Sequence, residues 1–268
     1  MKPAPFDYAA AASGCAAAAL LARDQGAKLM AGAQSLGPML NLRLARPGAV
    51  VDVSRAADMR GFRDEGDALV YGGAVTHAEI EDGVVPDATP GWLSTVARRI
   101  AYRAVRNRGT IGGSLAHADP AADWVNVMTA LGGAVLLAGP QANRTVPLAG
   151  FFTGPFATVL EPDEVITGVR LAKRSPAARW AYWKFCRKVG EFALASAAVL
   201  IDRERSETRI LLGAIERPPV FLADPEALLS RHAQVEPAVA GAAPALQGEA
   251  LALHVAAVRR AIALATSS

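Results

Sequence analysis

Apolar positions along the chain recur in two rhythms. Near the N-terminus the run "CAAAALLA" (residues 15–22) follows Ser13, a helix-capping type, and precedes Gly26, which predicts a short helix between them. Short apolar runs bounded by turn residues predict strands at "AKLMAG" (27–32), which leads into a loop, "AVVDVS" (49–54) and "ALVYGGAV" (68–75). "THAEIEDG" (76–83) predicts a short capped helix, and "TPGWLSTVARRIAY" (89–102) sets Trp92, Val96 and Ile100 on one side of another. The polar stretch "VRNRGTIGGSLAHADPAAD" (105–123) predicts a long loop. At its end Asp119 is expected to cap a helix with Pro120 at its first position, running to about Leu131. Further strands are predicted at 134–138, 144–146 and 165–171.

The polar, Pro-containing segment "AKRSPAAR" (172–179) is the predicted domain boundary. Beyond it, "WAYWKFC" (180–186), "ALASAAVLI" (193–201) and "RILLGAI" (209–215) predict three antiparallel strands, followed by two or three helices rich in Ala and Leu. Strands mixed with helices, then strands followed by helices, imply two α/β or α+β units.

Composition removes several function classes. At 268 residues the chain can bury one large core or two modest ones. Its net charge of +3 is spread rather than massed, which argues against nucleic acid or an anionic membrane surface as the main partner. Two distant cysteines, Cys15 and Cys186, suggest no disulfide framework and a reducing, cytoplasmic setting. An iron–sulfur cluster usually needs four thiolates, so this chain cannot hold one alone. The four histidines have no zinc-type spacing. The N-terminus lacks a signal-type apolar core, and the run at 15–22 is too short to span a bilayer.

Two glycine loops carry the candidate chemistry: "AGAQSLGP" (31–38), entered from a strand, and "GTIGGS" (109–114). Glycine leaves no Cβ between backbone and ligand, and successive amides in such loops can form an anion-binding nest. Ser35, Thr110, Ser114 and Gln34 add neutral donors. Gly32 and Gly37 have P-loop spacing, but Pro38-Met39 stands where Lys-Ser/Thr is required, so a P-loop is rejected. A Rossmann G-x-G-x-x-G between strand and helix is missing as well.

With its flanks, the pair of loops resembles, over nearly the whole chain, the FAD-binding (medium) subunit of the molybdenum hydroxylases, the xanthine dehydrogenase and carbon monoxide dehydrogenase family. The resemblance is carried by "AGAQSLGPMLNLRLARPGAVVDVS" (31–54), "VRNRGTIGGSLAHADPAAD" (105–123), "GPFATVLEPDEVITGVRL" (154–171) and "WKFCRKVGEFALASAA" (183–198). It implies an α+β fold. A two-part, vanillyl-alcohol-oxidase-like FAD-binding domain (1–174, parts about 1–54 and 55–174) would precede a C-terminal domain (175–268) of a three-stranded antiparallel sheet with a helical bundle.

The resemblance also implies site residues. The first loop, Ala31, Gly32, Ala33, Gln34, Ser35 and Leu36, would wrap the FAD pyrophosphate. Thr110, Ile111, Gly112, Gly113 and Ser114 of the second would also contact the cofactor. Asp123 would bond polar groups of the ribose or phosphate side, and Ile166 would border the adenine. Lys184 would stand near the flavin ring, with Phe192 as a site aromatic and His117 on the flavin side. No catalytic acid or base and no metal ligand is implied. Beside these roles stand plainer ones: Asp119 as a cap, His117 as an ordinary loop residue, Phe192 as core, and Arg106 and Arg108 as braces binding carbonyls.

The implied function is electron transfer. A large molybdopterin subunit would oxidise the substrate, and a small [2Fe–2S] subunit would pass electrons to FAD on this chain, in a dimer of heterotrimers. Two other readings stay open: a self-contained flavin oxidase or reductase, and a scaffold subunit that has lost FAD. The sequence departs from the family at Ala33, usually glycine, at Gly37, usually apolar, and at "LALHVAAVRR" (251–260), where His254 is kept but a Tyr-Arg-Arg run is lost.

Overall fold

The computed structural model describes residues 2–267. Its first layer is a parallel three-stranded sheet in the order β1-β3-β2. Strand β1 (Asp7–Ala10) leads to helix α1 (Gly14–Leu21), β2 (Lys28–Met30), helix α2 (Leu36–Asn41) and β3 (Ala49–Asp52). Helix α1 starts where the capping rule places it, because Ser13 Oγ accepts the Ala16 N–H at 3.1 Å. Its buried Ala17, Ala18 and Leu21 pack with Val51 and Val53 in a small core of their own.

The second layer is a five-stranded antiparallel sheet, β4-β5-β10-β6-β7, built from β4 (Phe62–Asp64), β5 (Ala68–Gly72), β6 (Ala134–Ala138), β7 (Asn143–Pro147) and β10 (Val165–Ala172). Between β5 and β6 run five short helices: α3 (His77–Glu81), α4 (Trp92–Ala97), α5 (Arg103–Arg106), α6 (Ile111–His117) and α7 (Asp123–Ala130). A hairpin of β8 (Phe152–Gly154) and β9 (Ala157–Thr158) precedes β10. Thr76 and Glu79 form a reciprocal capping box on α3, as the sequence predicts.

The segment between α3 and α7 departs from expectation in three places. The helix predicted over 89–102 stops at Ala97, and Ala101 turns the chain with φ +43°. The carbonyls of Ile100 and Ala101 are taken instead by Arg106 Nη1, while its Nε pairs with Glu81 at 2.7 Å, so the bracing role of Arg106 is observed. Residues 111–117, predicted as loop because Gly-Gly is a poor helix former, are helical, with the Thr110 hydroxyl accepting the Gly113 N–H. The helix expected from Pro120 begins at Asp123, because Asp119 Oδ1 bonds the Ala121 N–H and holds a turn there instead.

The third layer holds β11 (Arg179–Phe185), β12 (Ala195–Asp202), β13 (Glu207–Gly213) and β14 (Val220–Phe221). A two-residue edge strand thus extends the three predicted strands to four. Helices α8 (Pro225–Ser230), α9 (Val235–Ala242) and α10 (Gly248–Ser267) follow. Helix α10 is long and apolar enough to cross a membrane by length and composition, but Val255, Val258, Ala261, Ile262 and Ala265 are buried in the core formed with β12 and β13.

Helix α7 ties the layers together. All eight of its residues are buried, and the largest core joins it to Tyr182, Ala198, Leu200 and Leu211 of the third sheet. At its N-terminus Asp123 meets Lys184 of β11 at 2.9 Å. At its C-terminal end, Arg209 Nη1 donates to Ala130 O at 3.1 Å and Arg174 to Leu131 O. Cations on terminal carbonyls are favourably placed against the helix dipole.

Candidate functional site

A cavity of about 630 Å³ opens between the parallel sheet, helices α6 and α7 and the β11–β12 loop. That volume lies within the range of small-molecule and cofactor sites. Among the residues named from the sequence, Ala31, Gly32, Ala33, Gln34, Ser35, Leu36, Thr110, Gly112, Gly113, Ser114, His117, Asp123, Ile166 and Phe192 line it. Ile111 and Lys184 do not. Ile111 is fully buried in the main core, and Lys184, also buried, donates to Asp123 Oδ2 and Arg99 O.

The two glycine loops meet. A Cβ built on Gly32 would stand 2.0 Å from Arg108 O and 2.8 Å from Gly109 Cα, so only glycine lets the loops touch. In the first loop, Ala33 adopts φ +61° and the Gln34 amide donates back to Gly32 O at 2.9 Å. Among the described residues no protein acceptor takes the N–H groups of Ala33, Gln34, Ser35 and Leu36. They form a row of open donors at the start of α2.

The second loop differs from expectation. Its N–H groups are used inside the protein: Ile111 to Val75 O at 3.0 Å, Gly112 to Gly73 O at 3.0 Å, Gly113 to Thr110 Oγ1 at 3.1 Å and Ser114 to Thr110 O at 3.0 Å. Buried amides require partners, and docking on the end of β5 supplies them. A Cβ on Gly112 would lie 2.6 Å from Gly73 O, so this glycine serves helix–strand packing. What the second loop offers the cavity is hydroxyls, from Thr110 and Ser114, rather than a nest of amides.

Ala33 deserves a direct test. A left-handed conformation costs an L-residue about 1–2 kcal/mol, and glycine nothing comparable. Ala33→Gly is expected to raise unfolding stability by about 1 kcal/mol. Denaturant melts of the two proteins check this; equal midpoints would show that the strain is relieved elsewhere.

On the far wall stand Gly190, Glu191 and Phe192, with Phe192 62 % exposed at the mouth rather than in the core. His117 packs its ring on Phe156 at 5.2 Å. Asp123 is buried, and burial raises its carboxyl above the usual range despite Lys184. Its Oδ1 closes no bond among the described residues; Tyr182 Oη is its electrostatic neighbour, and Asn126 and Ser196 in turn flank that hydroxyl. Among the lining residues Lys28 supplies the only Lys or Arg.

Sequence reasoning missed His77 and Trp124, which line the cavity and bond to one another at 2.9 Å. The capping box located His77 at the start of α3, but no spacing signal says that its ring turns inward.

Comparisons with known proteins give the chain a family. Residues 4–173 match the family described as the FAD binding domain in molybdopterin dehydrogenase. The nicotine 6-hydroxylase medium subunit of Paenarthrobacter nicotinovorans is 37% identical over 226 residues, covering 82% of this chain and 79% of that one. The carbon monoxide dehydrogenase medium chain of Hydrogenophaga pseudoflava is 39% identical over 204 residues, covering 76% and 71%. A solved structure of carbon monoxide dehydrogenase from the same organism superposes with a TM-score of 0.92 at 34% identity, covering 100% of this chain and 99% of that one. The chain belongs to the family of FAD-binding domains of molybdopterin dehydrogenases, as an oxidoreductase subunit whose cofactor is FAD.

Proposed function

We propose that the chain is the electron-transfer subunit of a molybdenum hydroxylase, receiving electrons from the [2Fe–2S] clusters of a small partner subunit and passing them to an external acceptor. The observation that carries this reading is the row of unpartnered amides from Ala33 to Leu36, facing a cavity of dinucleotide size. The fit to FAD is chemical. A diphosphate needs several convergent donors, and neutral N–H groups with the hydroxyls of Ser35, Thr110 and Ser114 supply them without an arginine clamp. Asp123, a buried carboxyl on the cavity wall, suits a ribose hydroxyl that donates to it. Ile166 offers an apolar edge for the adenine, and Phe192 and His117 border the mouth on the flavin side.

When bound, FAD supplies the redox chemistry, collecting electrons singly and releasing them in pairs. The chain's own residues bind, orient and shield it, and none of them serves as a general acid or base in this reading. With two cysteines, both free, the chain lacks the four thiolates of a cluster, so the clusters belong to a partner. The free thiols also suit a reducing, cytoplasmic compartment. Lys184 acts on the cofactor through Asp123, as its counter-ion, rather than at the ring. The large molybdopterin subunit completes the complex, as a dimer of heterotrimers.

The test is rapid mixing of the complete complex with its substrate. Bleaching of flavin absorbance is expected only when the [2Fe–2S] subunit is present. An isolated chain that oxidises substrate or NADH by itself would instead establish a self-contained flavoenzyme. A chain that cannot take up FAD would establish the scaffold reading, for which the strained Ala33 is the structural motive.

A further inference from the structure

His77 opens α3, yet its ring is turned inward and the residue is only 6 % exposed. Trp124 of α7 donates its indole N–H to His77 Nδ1 at 2.9 Å. An indole nitrogen is only a donor, so Nδ1 must hold the lone pair and the ring proton sits on Nε2. Burial, with the Arg106 charge second, brings the imidazole down to about 3, so the ring is neutral. The tautomer is thereby set by one bond.

Nε2 has no protein acceptor among the described residues, and His77 lines the cavity. Nε2 is not one of the fully buried atoms left without a partner, so it opens on the cavity, where a ligand oxygen can accept its proton. The surroundings keep this nitrogen open. A Cβ on Gly109 would lie 2.7 Å from Nε2, so glycine is what leaves it uncovered. The same Gly109 accepts the His77 backbone N–H at 2.9 Å and abuts Gly32 of the first loop. The free N–H therefore stands near the seam where Gly109 of the second loop meets Gly32 of the first.

We propose that His77, held in the Nε2–H form by Trp124, is a cofactor-binding residue that donates to an oxygen of the diphosphate–ribose segment of the bound dinucleotide. The proposal rests on the FAD reading above. It assigns Trp124 a positioning role that a merely space-filling indole would not have.

The test uses the full chain labelled with ¹⁵N-histidine and titrated with FAD. The His77 Nδ1 signal is expected to stay that of an unprotonated, hydrogen-bonded nitrogen, while the Nε2–H signal shifts on saturation. His77→Asn, which keeps a group near Trp124 but loses the distal donor, is expected to weaken FAD binding about tenfold, or about 1.4 kcal/mol. His77→Gln, whose amide nitrogen reaches the place of Nε2, is expected to return to within about threefold of the parent. Melting of the FAD-free proteins separates packing from binding. FAD that binds without moving the Nε2–H signal, or Asn and Gln variants of equal affinity, would overturn the proposal while leaving the FAD reading intact. Failure of the unsubstituted chain to bind FAD would overturn both.

Discussion

Gly32→Ala is expected to strip the protein of flavin while leaving most of its fold in place. The added methyl would sit 2.0 Å from Arg108 O, 2.6 Å from Arg108 C and 2.8 Å from Gly109 Cα, all backbone atoms that no rotamer change can clear. The loops must then separate. Overpacking of this kind costs typically about 1–3 kcal/mol, and here the strain falls on the loop that carries the open amides. At about 1.4 kcal/mol per decade, FAD affinity should drop by about a hundredfold. Flavin absorbance per protein after gel filtration, with far-ultraviolet circular dichroism alongside, reads both halves of the expectation. Gly37→Ala is the control, because its Cβ would meet only Ala33 Cβ at 3.7 Å. A Gly32→Ala protein with parental flavin content would show that the loops do not need contact to bind.

Lys184→Met is expected to give the largest loss of stability. Its ammonium is 2.9 Å from a carboxylate whose side chain is 8 % exposed, and removing one partner of a buried pair leaves the other charge uncompensated. Such deletions cost about 3–5 kcal/mol. The pH dependence has a definite sign. Burial already raises the Asp123 carboxyl in the folded protein. A carboxyl raised by folding favours the native state where it is protonated, and that contribution is lost as pH rises through its folded value. Without Lys184 the carboxyl rises further. The deficit should therefore be greatest near neutral pH and shrink on acidification. Adding Asp123→Asn should recover much of it at neutral pH. Denaturant unfolding across pH measures this; a loss under about 1 kcal/mol, or one that does not vary with pH, would contradict a charged buried pair.

Much of the fold was legible in the sequence because local signals agreed with burial. Ser13 and the Thr76/Glu79 box mark their helices, and the apolar run that became β12 is buried at every residue. Where tertiary contacts outweigh propensity, the sequence misled. Gly112 lies in a helix because α6 must approach Gly73 closely, and α4 stops at Ala97 before the turn at Ala101, where Arg106 satisfies the freed carbonyls. The site was legible by composition but not by role. Both loops were marked by glycines, yet which amides stay open depends on whether a strand end is near enough to take them. Ser114 and Ser35 look alike in sequence; one N–H is spent on Thr110 and the other is free. The inward turn of His77 has no local signature at all.

Helix α7 is gripped at both ends by side chains that follow it in the chain: Lys184 at Asp123, Arg209 at Ala130 O and Arg174 at Leu131 O. The helix that carries the cavity-lining Asp123 and Trp124 is therefore held by residues outside the segment that the family model matches, which ends at 173. A chimera that grafts a relative's C-terminal part onto this N-terminal part must carry Lys184 and Arg209 across and keep Arg174 at the seam. Otherwise the graft is expected to loosen the helix on which Asp123 and Trp124 are mounted.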